Sequence, residues 1–339
     1  MAQQQLKHLL VIRFSAMGDV AMLVPVVHAF AKANPEVKIS FLTKPFHKPI
    51  VDTIPGVNCI VAEVDGKHKG IFGLWKLSRQ LKASGVTHIA DMHNVLRSKI
   101  LRSFLKVPRA IIDKGRKEKK QQTAGNLSTL QSLKTTIVRY QDVLEGLDFS
   151  KVQPETLDRP NPTEKVSAFA QKSHRKWLGI APFAAHLGKQ YPAHLMKEVI
   201  DELAKEKGYQ IFLFGAPNEL SLLEKLTGDN KEVVIVAGKL SFADQINFIG
   251  QLDGMLSMDS GNGHLAAMYG IPTISLWGVT HPALGFAPFG QEEHTITSDR
   301  IKYPGIPTSV YGNIIPDGYE DVMSTIHPDI VIEKVKVLL

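Results

Sequence analysis

The chain has one cysteine, Cys59, in 339 residues, which excludes an internal disulfide and a zinc site built on several thiolates. Set in an apolar strand-like run, Cys59 reads as an inert core residue. There is no run of 18 apolar residues, and Met1 to Lys7 is polar rather than a charged start feeding an apolar signal core. A cytoplasmic location is therefore expected. Neither D-x-D nor H-E-x-x-H occurs, and no close His/Cys cluster is present. The expected site therefore holds no metal, and no cofactor is called for. G-x-G-x-x-G is missing after the first strand, which argues against a nicotinamide dehydrogenase. G-x-x-x-x-G-K-[ST] and G-x-S-x-G are absent too, against a Walker-type NTPase and an α/β-hydrolase.

What is present suits a two-domain globular enzyme or binding protein. The length exceeds a usual single core, while 44% hydrophobic and 22% charged residues fit a folded, water-exposed chain. A net charge of +7 favours anionic partners. It is concentrated between Arg97 and Lys120, where ten Lys or Arg face only Asp113 and Glu118. The run reads as a solvated helix face, or as a surface for a phosphorylated acceptor or an anionic lipid surface. Nucleic acid ranks last, because no aromatic RNA-binding signature or DNA-reading motif accompanies it.

Short apolar runs alternate with helical periodicity. Strand patterns fall at 8–13, 37–43, 57–62 and 87–90, with helices near 20–33, 46–52, 71–84 and 95–105. Three prolines break all periodicity between Val152 and Thr163, which marks a linker. Alternation then restarts through strands at 177–181, 210–214, 232–236, 254–258 and 273–276. Both halves read as mostly parallel sheets covered by helices: a first domain at 1–160 and a second at 161–339. The final helix, Pro328 to Leu339, is expected to pack back on either domain, the first included.

The second half centres on Leu256-Ser-Met-Asp-Ser-Gly-Asn-Gly-His-Leu-Ala-Ala267, which reads strand, tight turn, helix. The amides from Ser260 through Gly261, Asn262 and Gly263 and the positive helix end converge on one spot that suits a phosphate. The ordinary alternative is a βα turn in which Asp259 or Ser260 caps the helix.

Ligands of such sheets lie off the carboxyl ends of the strands. Those ends supply Ser15, Gly18, Asp19 and Asp91 to Ser98 in the first half, and His186, Lys189, Glu219, Asp259 to His264, Thr280 and His281 in the second. Arg13-Phe-Ser-Ala-Met-Gly-Asp-Val20, Asp91 with Arg97-Ser98, Lys189-Gln-Tyr-Pro192, Phe214-Gly-Ala-Pro-Asn-Glu219, Asp259-Ser-Gly-Asn-Gly-His-Leu-Ala-Ala267 and Trp277-Gly-Val-Thr-His-Pro282 resemble, in this order, glycosyltransferase family nine. These are the ADP-heptose:lipopolysaccharide heptosyltransferases. The resemblance implies an α/β GT-B fold, two Rossmann-like doubly wound domains facing a central cleft, with the acceptor on the first and the nucleotide sugar on the second. It implies an inverting, metal-independent transfer of heptose from ADP-heptose to the lipopolysaccharide inner core.

Under that resemblance Asp19 is the general base and Lys189 neutralises the leaving diphosphate. Glu219 binds the ribose hydroxyls, the amides from Ser260 to His264 hold the pyrophosphate, Asp259 orders that loop, and Thr280 lies near the diphosphate or sugar. Each has an ordinary alternative: helix capping for Asp19 and Thr280, a solvated surface for Lys189 and Glu219, packing beneath the helix for His264. Arg97, Ser98 and Lys114, with Ser15 and Gly18, are the candidate acceptor contacts. Ala184-Ala185 replace the family's frequent Ser or Thr, His281 replaces an acid, and Met258 replaces an Asn. These departures leave open a GT-B enzyme using another nucleotide sugar, an epimerase, or a non-catalytic binding protein of nucleotide sugar or lipid core. Asp19 and Lys189 together argue against the last, since a binder needs no base.

Overall fold

The computed structural model describes residues 7–124 and 130–339; the polar start Met1–Leu6 lies outside them. Two compact units emerge, Met1–Lys114 with Thr136–Leu157, and Gly115–Thr135 with Asp158–Leu339. The linker region of the sequence thus contains the join at 157/158. The second crossing, at 115–135, carries no sequence signal of a domain change, because polarity there is uniform.

Unit 1 runs β1 (His8–Ile12), α1 (Met17–Ala33), β2 (Lys38–Thr43), α2 (Lys48–Val51), β3 (Val57–Val61), α3 (Gly70–Ala83), β4 (His88–Asp91), α4 (Leu96–Leu105) and β5 (Arg109–Ile111). The chain then gives α5 (Arg116–Gln122) to unit 2 and returns with α6 (Thr136–Glu145). The strands are parallel in the order β3-β2-β1-β4-β5. β1 is central and every residue of His8-Leu-Leu-Val-Ile12 is buried, as a strand covered on both faces requires.

Unit 2 continues with α7 (Glu164–Phe169), β6 (Lys176–Ala181), α8 (Ala193–Lys205), β7 (Tyr209–Leu213), α9 (Leu220–Thr227), β8 (Val233–Ile235), α10 (Phe242–Ile249), β9 (Gly254–Met258), α11 (Gly261–Ala267), β10 (Thr273–Trp277), β11 (Thr295–Thr297) and α12 (Pro328–Leu338). Its parallel order is β11-β10-β9-β6-β7-β8. α8 shows how periodicity builds the layers: Met196, Val199, Ile200 and Leu203 form one buried stripe against the sheet. α12 packs against α8 within unit 2, and Leu339 closes on Gly254, where an added Cβ would lie 2.6 Å from the leucine Cδ1. Of the two domains on which this helix is expected to pack, the contact with α8 lies in the second, and its buried Val331, Ile332 and Val335 face inward.

Both sheets reverse strand order at their middle, between β1 and β4 and between β6 and β9. The loops leaving these strands diverge there and open a crevice at the carboxyl ends. Ser15, Gly18, Asp19, Arg97, Ser98, Lys189 and Asp259 to His264 follow these four strands, whereas Lys114, Glu219 and Thr280 with His281 follow β5, β7 and β10. Among the described residues no helix is long and apolar enough to cross a membrane.

Candidate active site

In unit 1 the site is built on Arg13, one residue past β1. Its guanidinium is buried, with Nε donating to the Ser15 carbonyl at 2.7 Å and Nη1 to the Met92 carbonyl at 2.6 Å. Nη2 forms an ion pair with Asp19 Oδ2. One side chain therefore ties together the ends of β1 and β4 and the first turn of α1. Burial opposes the Arg13 charge, yet Tyr140, Asp19 and Asp91 outweigh it and hold the guanidinium above its ordinary value. Asp19 Oδ2 also accepts from the Ala16 amide at 3.1 Å, and the Tyr140 hydroxyl donates to the Asp19 carbonyl at 3.2 Å. This carboxylate therefore closes the first turn of α1 and still keeps 24% of its side-chain surface exposed.

Asp91 is fully buried. It takes Arg102 at 2.5 Å and the His93 and Asn94 amides at 2.9 and 2.8 Å, so it shapes the loop after β4. Burial, then Arg13 and Lys114, push the His93 imidazole down to about 3. It is neutral, its Nδ1 accepts from the Phe14 amide at 3.2 Å, and the ring proton stays on Nε2. His47 is likewise lowered, first by burial and then by Lys44.

In unit 2 the loops after β6, β9 and β10 meet. Lys189 Nζ lies 2.9 Å from Asp259 Oδ2, and the buried Thr280 hydroxyl donates to the same oxygen at 2.8 Å. Three glycines make this possible. A Cβ on Gly312, at φ +85°, would lie 2.3 Å from Lys189 Cγ and Cδ; one on Gly188 would lie 2.4 Å from Val279 Cγ2; one on Gly278 would lie 2.3 Å from the Gly188 carbonyl. Ser309 fixes the loop around Gly312 by accepting its amide at 2.9 Å.

Gly263 is a packing glycine. Its missing Cβ faces the strand, where it would meet Ser257 Oγ at 2.4 Å, so this glycine serves close packing of α11 on β9. Ser260 caps α11 without a side-chain hydrogen bond to it, and its buried hydroxyl oxygen has no hydrogen-bond partner among the described residues. A buried orphan hydroxyl beside a first helical turn suits a ligand that brings its own acceptor oxygens. Gly261 and Asn262 are half-buried beside it, and His264 lies on the buried side of α11.

Several predicted residues are occupied structurally. Glu219 Oε2 accepts from the Ala216 amide at 2.7 Å and closes the turn before α9. The Ser98 hydroxyl donates to the Val95 carbonyl and accepts the Val95 amide, both at 3.0 Å, and the residue is fully buried in the first turn of α4, bonded back to the N-cap residue. Surface contact with an acceptor does not fit that position. Arg97 pairs with Asp65 at 3.1 Å, and Lys114 is half-buried. The basic run is not one face: Arg102 is buried on Asp91, while Lys119 is buried in unit 2 with Nζ 3.8 Å from the Phe286 ring centroid. His281 Nδ1 accepts from the Ala283 amide at 3.1 Å, and burial followed by Arg300 lowers it to about 4.

Two Rossmann-like units, each with ionisable groups gathered at its switch point, define a two-domain α/β enzyme of the GT-B class. Residues 74–308 match the model of "Glycosyltransferase family 9 (heptosyltransferase)". The chain belongs to this family and is a glycosyltransferase of heptosyltransferase type. It is 25% identical over 303 residues to the lipopolysaccharide core heptosyltransferase OpsX of Haemophilus influenzae, covering 86% of this chain and 84% of that one. Lipopolysaccharide heptosyltransferase 3 of Escherichia coli K12 is 26% identical over 285 residues, 78% of this chain and 80% of the relative. The fold is that of the solved Escherichia coli heptosyltransferase WaaC with ADP, at a TM-score of 0.72, 18% identity and coverage of 98% and 100%. A family 9 glycosyltransferase of Veillonella parvula superposes with a TM-score of 0.77 at 19% identity, covering 98% of this chain and 97% of that one.

Proposed function

We propose that the protein moves heptose from ADP-heptose to the lipopolysaccharide inner core, with inversion and without a metal, on the cytoplasmic side of the inner membrane. The relatives' names supply the substrate class; the observation that carries the chemistry is the Asp19 carboxylate, paired to buried Arg13 and partly open at the carboxyl end of β1. In this reading unit 1 takes the acceptor and unit 2 the donor. Asp19 accepts the proton of the attacking hydroxyl as its oxygen bonds to the anomeric carbon. The bond from that carbon to the β-phosphate oxygen breaks, and its electron pair leaves with ADP.

Lys189 supports departure of the diphosphate. Asp259 and Thr280 hold it in place beforehand, so little reorganisation is needed when charge develops. The Ser260 hydroxyl and the first amides of α11 contact the pyrophosphate. Glu219 serves the ribose only by giving up, or sharing, its bond to the Ala216 amide.

Incubating the protein with ADP-heptose and a truncated, Kdo-bearing core tests the reading. ADP release with one heptose added per acceptor and inverted anomeric configuration supports it. Donor binding without turnover would favour the binding-protein alternative, and transfer from another nucleotide sugar in preference would overturn the donor assignment.

A further inference from the structure

α3 presents an unusual outer face. Leu74, Leu77, Ser78 and Leu81 face inward, whereas Ile71, Phe72 and Trp75 are 56%, 83% and 47% exposed. Residues 71, 72, 75, 76, 79 and 82 share that outer face at helical spacing, so the aromatic end passes directly into Lys76, Arg79 and Lys82. The Arg79 guanidinium lies 5.2 Å from the Trp75 ring centroid, and α3 contains no acidic residue.

The exposed end is held firmly. Gly73 packs so closely on the preceding loop that an added Cβ would lie 2.3 Å from the His68 carbonyl carbon, and the buried His68 ring accepts the Glu63 amide at 3.1 Å. Because α3 follows β3, its aromatic end stands at the carboxyl-end edge of the sheet, the edge that carries Asp19. Asp65 pairs with Lys44 at 2.9 Å and with Arg97 at 3.1 Å, drawing the loops after β2, β3 and β4 together, and the neighbouring Phe46 and Leu96 are exposed at 58% and 73%.

We propose that this face of α3 docks unit 1 on an anionic lipid surface. Aromatic and aliphatic side chains held out on a rigid frame, fringed by cations and free of acids, suit the boundary between headgroups and acyl chains. A second copy of the chain is a poor occupant, since the two faces would bring Lys76, Arg79 and Lys82 against their like. Docking here turns the edge bearing Asp19 toward lipid, where a membrane-anchored acceptor presents its sugars. The basic run at 97–120 does not supply such a face, with Arg102 and Lys119 buried.

Trp75 reports the event directly, because Trp177 and Trp277 are buried. The full-length protein is mixed, without substrate, with phosphatidylglycerol-containing vesicles and with pure phosphatidylcholine vesicles. A blue shift of emission and co-sedimentation with the anionic vesicles are expected. Ile71→Ser with Phe72→Ser lowers partitioning about 100-fold, at roughly tenfold for each side chain. Lys76→Glu with Lys82→Glu abolishes the preference for anionic lipid. Thermal unfolding of the variants and their transfer to a soluble, deacylated core stay as in the parent, so a failure here is separable from a failure of the assigned reaction. No vesicle-dependent shift, or equal partitioning of the Ile71/Phe72 variant, overturns the proposal, as does self-association that this variant removes.

Discussion

Lys189→Met separates the observed role of this side chain, counter-ion to Asp259, from the proposed one, neutralising the leaving diphosphate. Its ammonium lies 2.9 Å from Asp259 Oδ2, with 16% and 8% of the two side chains exposed. At an effective dielectric constant of about 20 the attraction is roughly 6 kcal/mol before desolvation is subtracted. Removing one partner of such a pair costs about 3–5 kcal/mol where burial is complete; the residual exposure of Lys189 reduces this to ~2–4 kcal/mol. The loss arises from the stranded Asp259 carboxylate, which keeps the Thr280 hydroxyl but loses its cation. Asp259→Asn added to Lys189→Met therefore returns most of the stability, and a double-mutant cycle by urea unfolding gives a coupling of ~2 kcal/mol. Turnover behaves otherwise. If Lys189 meets the diphosphate, both Lys189→Met and the double variant lose about 10²–10³ in kcat, because neither places a cation there. Recovery of kcat together with stability in the double variant would refute this, and would leave Lys189 as a counter-ion to Asp259 alone.

Gly312→Ala forces a methyl into the stem of Lys189 and strains a residue at φ +85°, so ADP affinity and kcat fall together; titration calorimetry and steady-state rates read both. Arg13→Lys keeps one charge but cannot bind Asp19, Ser15 and Met92 at once, and lowers kcat more than it raises the acceptor KM. His93, held near 3 in the folded protein, titrates at its ordinary value when unfolded. Between about pH 6 and pH 3 the unfolded chain thus binds the extra proton, and stability falls as pH falls, by up to ~1.4 kcal/mol per pH unit from this group. His93→Asn flattens that slope in acid-unfolding curves.

The alternation of strands and helices was legible because both sheets are parallel and doubly covered, so each strand is a short apolar run. β5 and β11 were not: Arg109-Ala-Ile111 and Thr295-Ile-Thr297 are edge strands, too short and too polar to stand out. α6 escaped because its buried Arg139 and Gln141 break the apolar stripe that periodicity seeks. At the site, sequence named Asp19, Lys189, Asp259 and Thr280 but not what they touch. Arg13 stood in the quoted motif with no role, and Tyr140 lies 121 residues from Asp19, a pairing that only the fold makes. Gly312 lies between β11 and α12 in a stretch rich in Pro, Gly and Tyr, and nothing in that composition shows that it cradles a lysine. Ser98 shows the reverse limit: a hydroxyl beside an arginine reads as an exposed polar pair, while the first turn of α4 carries it inward, bonded back to Val95. The Ile71, Phe72 and Trp75 face was hidden because α3 is amphipathic in the usual way on its other side.

The most direct test of the central claim, heptosyl transfer with Asp19 as base, is ADP release from ADP-heptose by the parent protein and by Asp19→Asn, with EDTA in both reactions and donor binding measured in parallel. The variant keeps the shape of the carboxylate and its bond to the Ala16 amide. Turnover that persists in EDTA and falls about 10²–10⁴-fold in the variant, with donor affinity retained, is the expected result. Parent-like turnover in Asp19→Asn would contradict the account and leave Asp19 as the cap of α1.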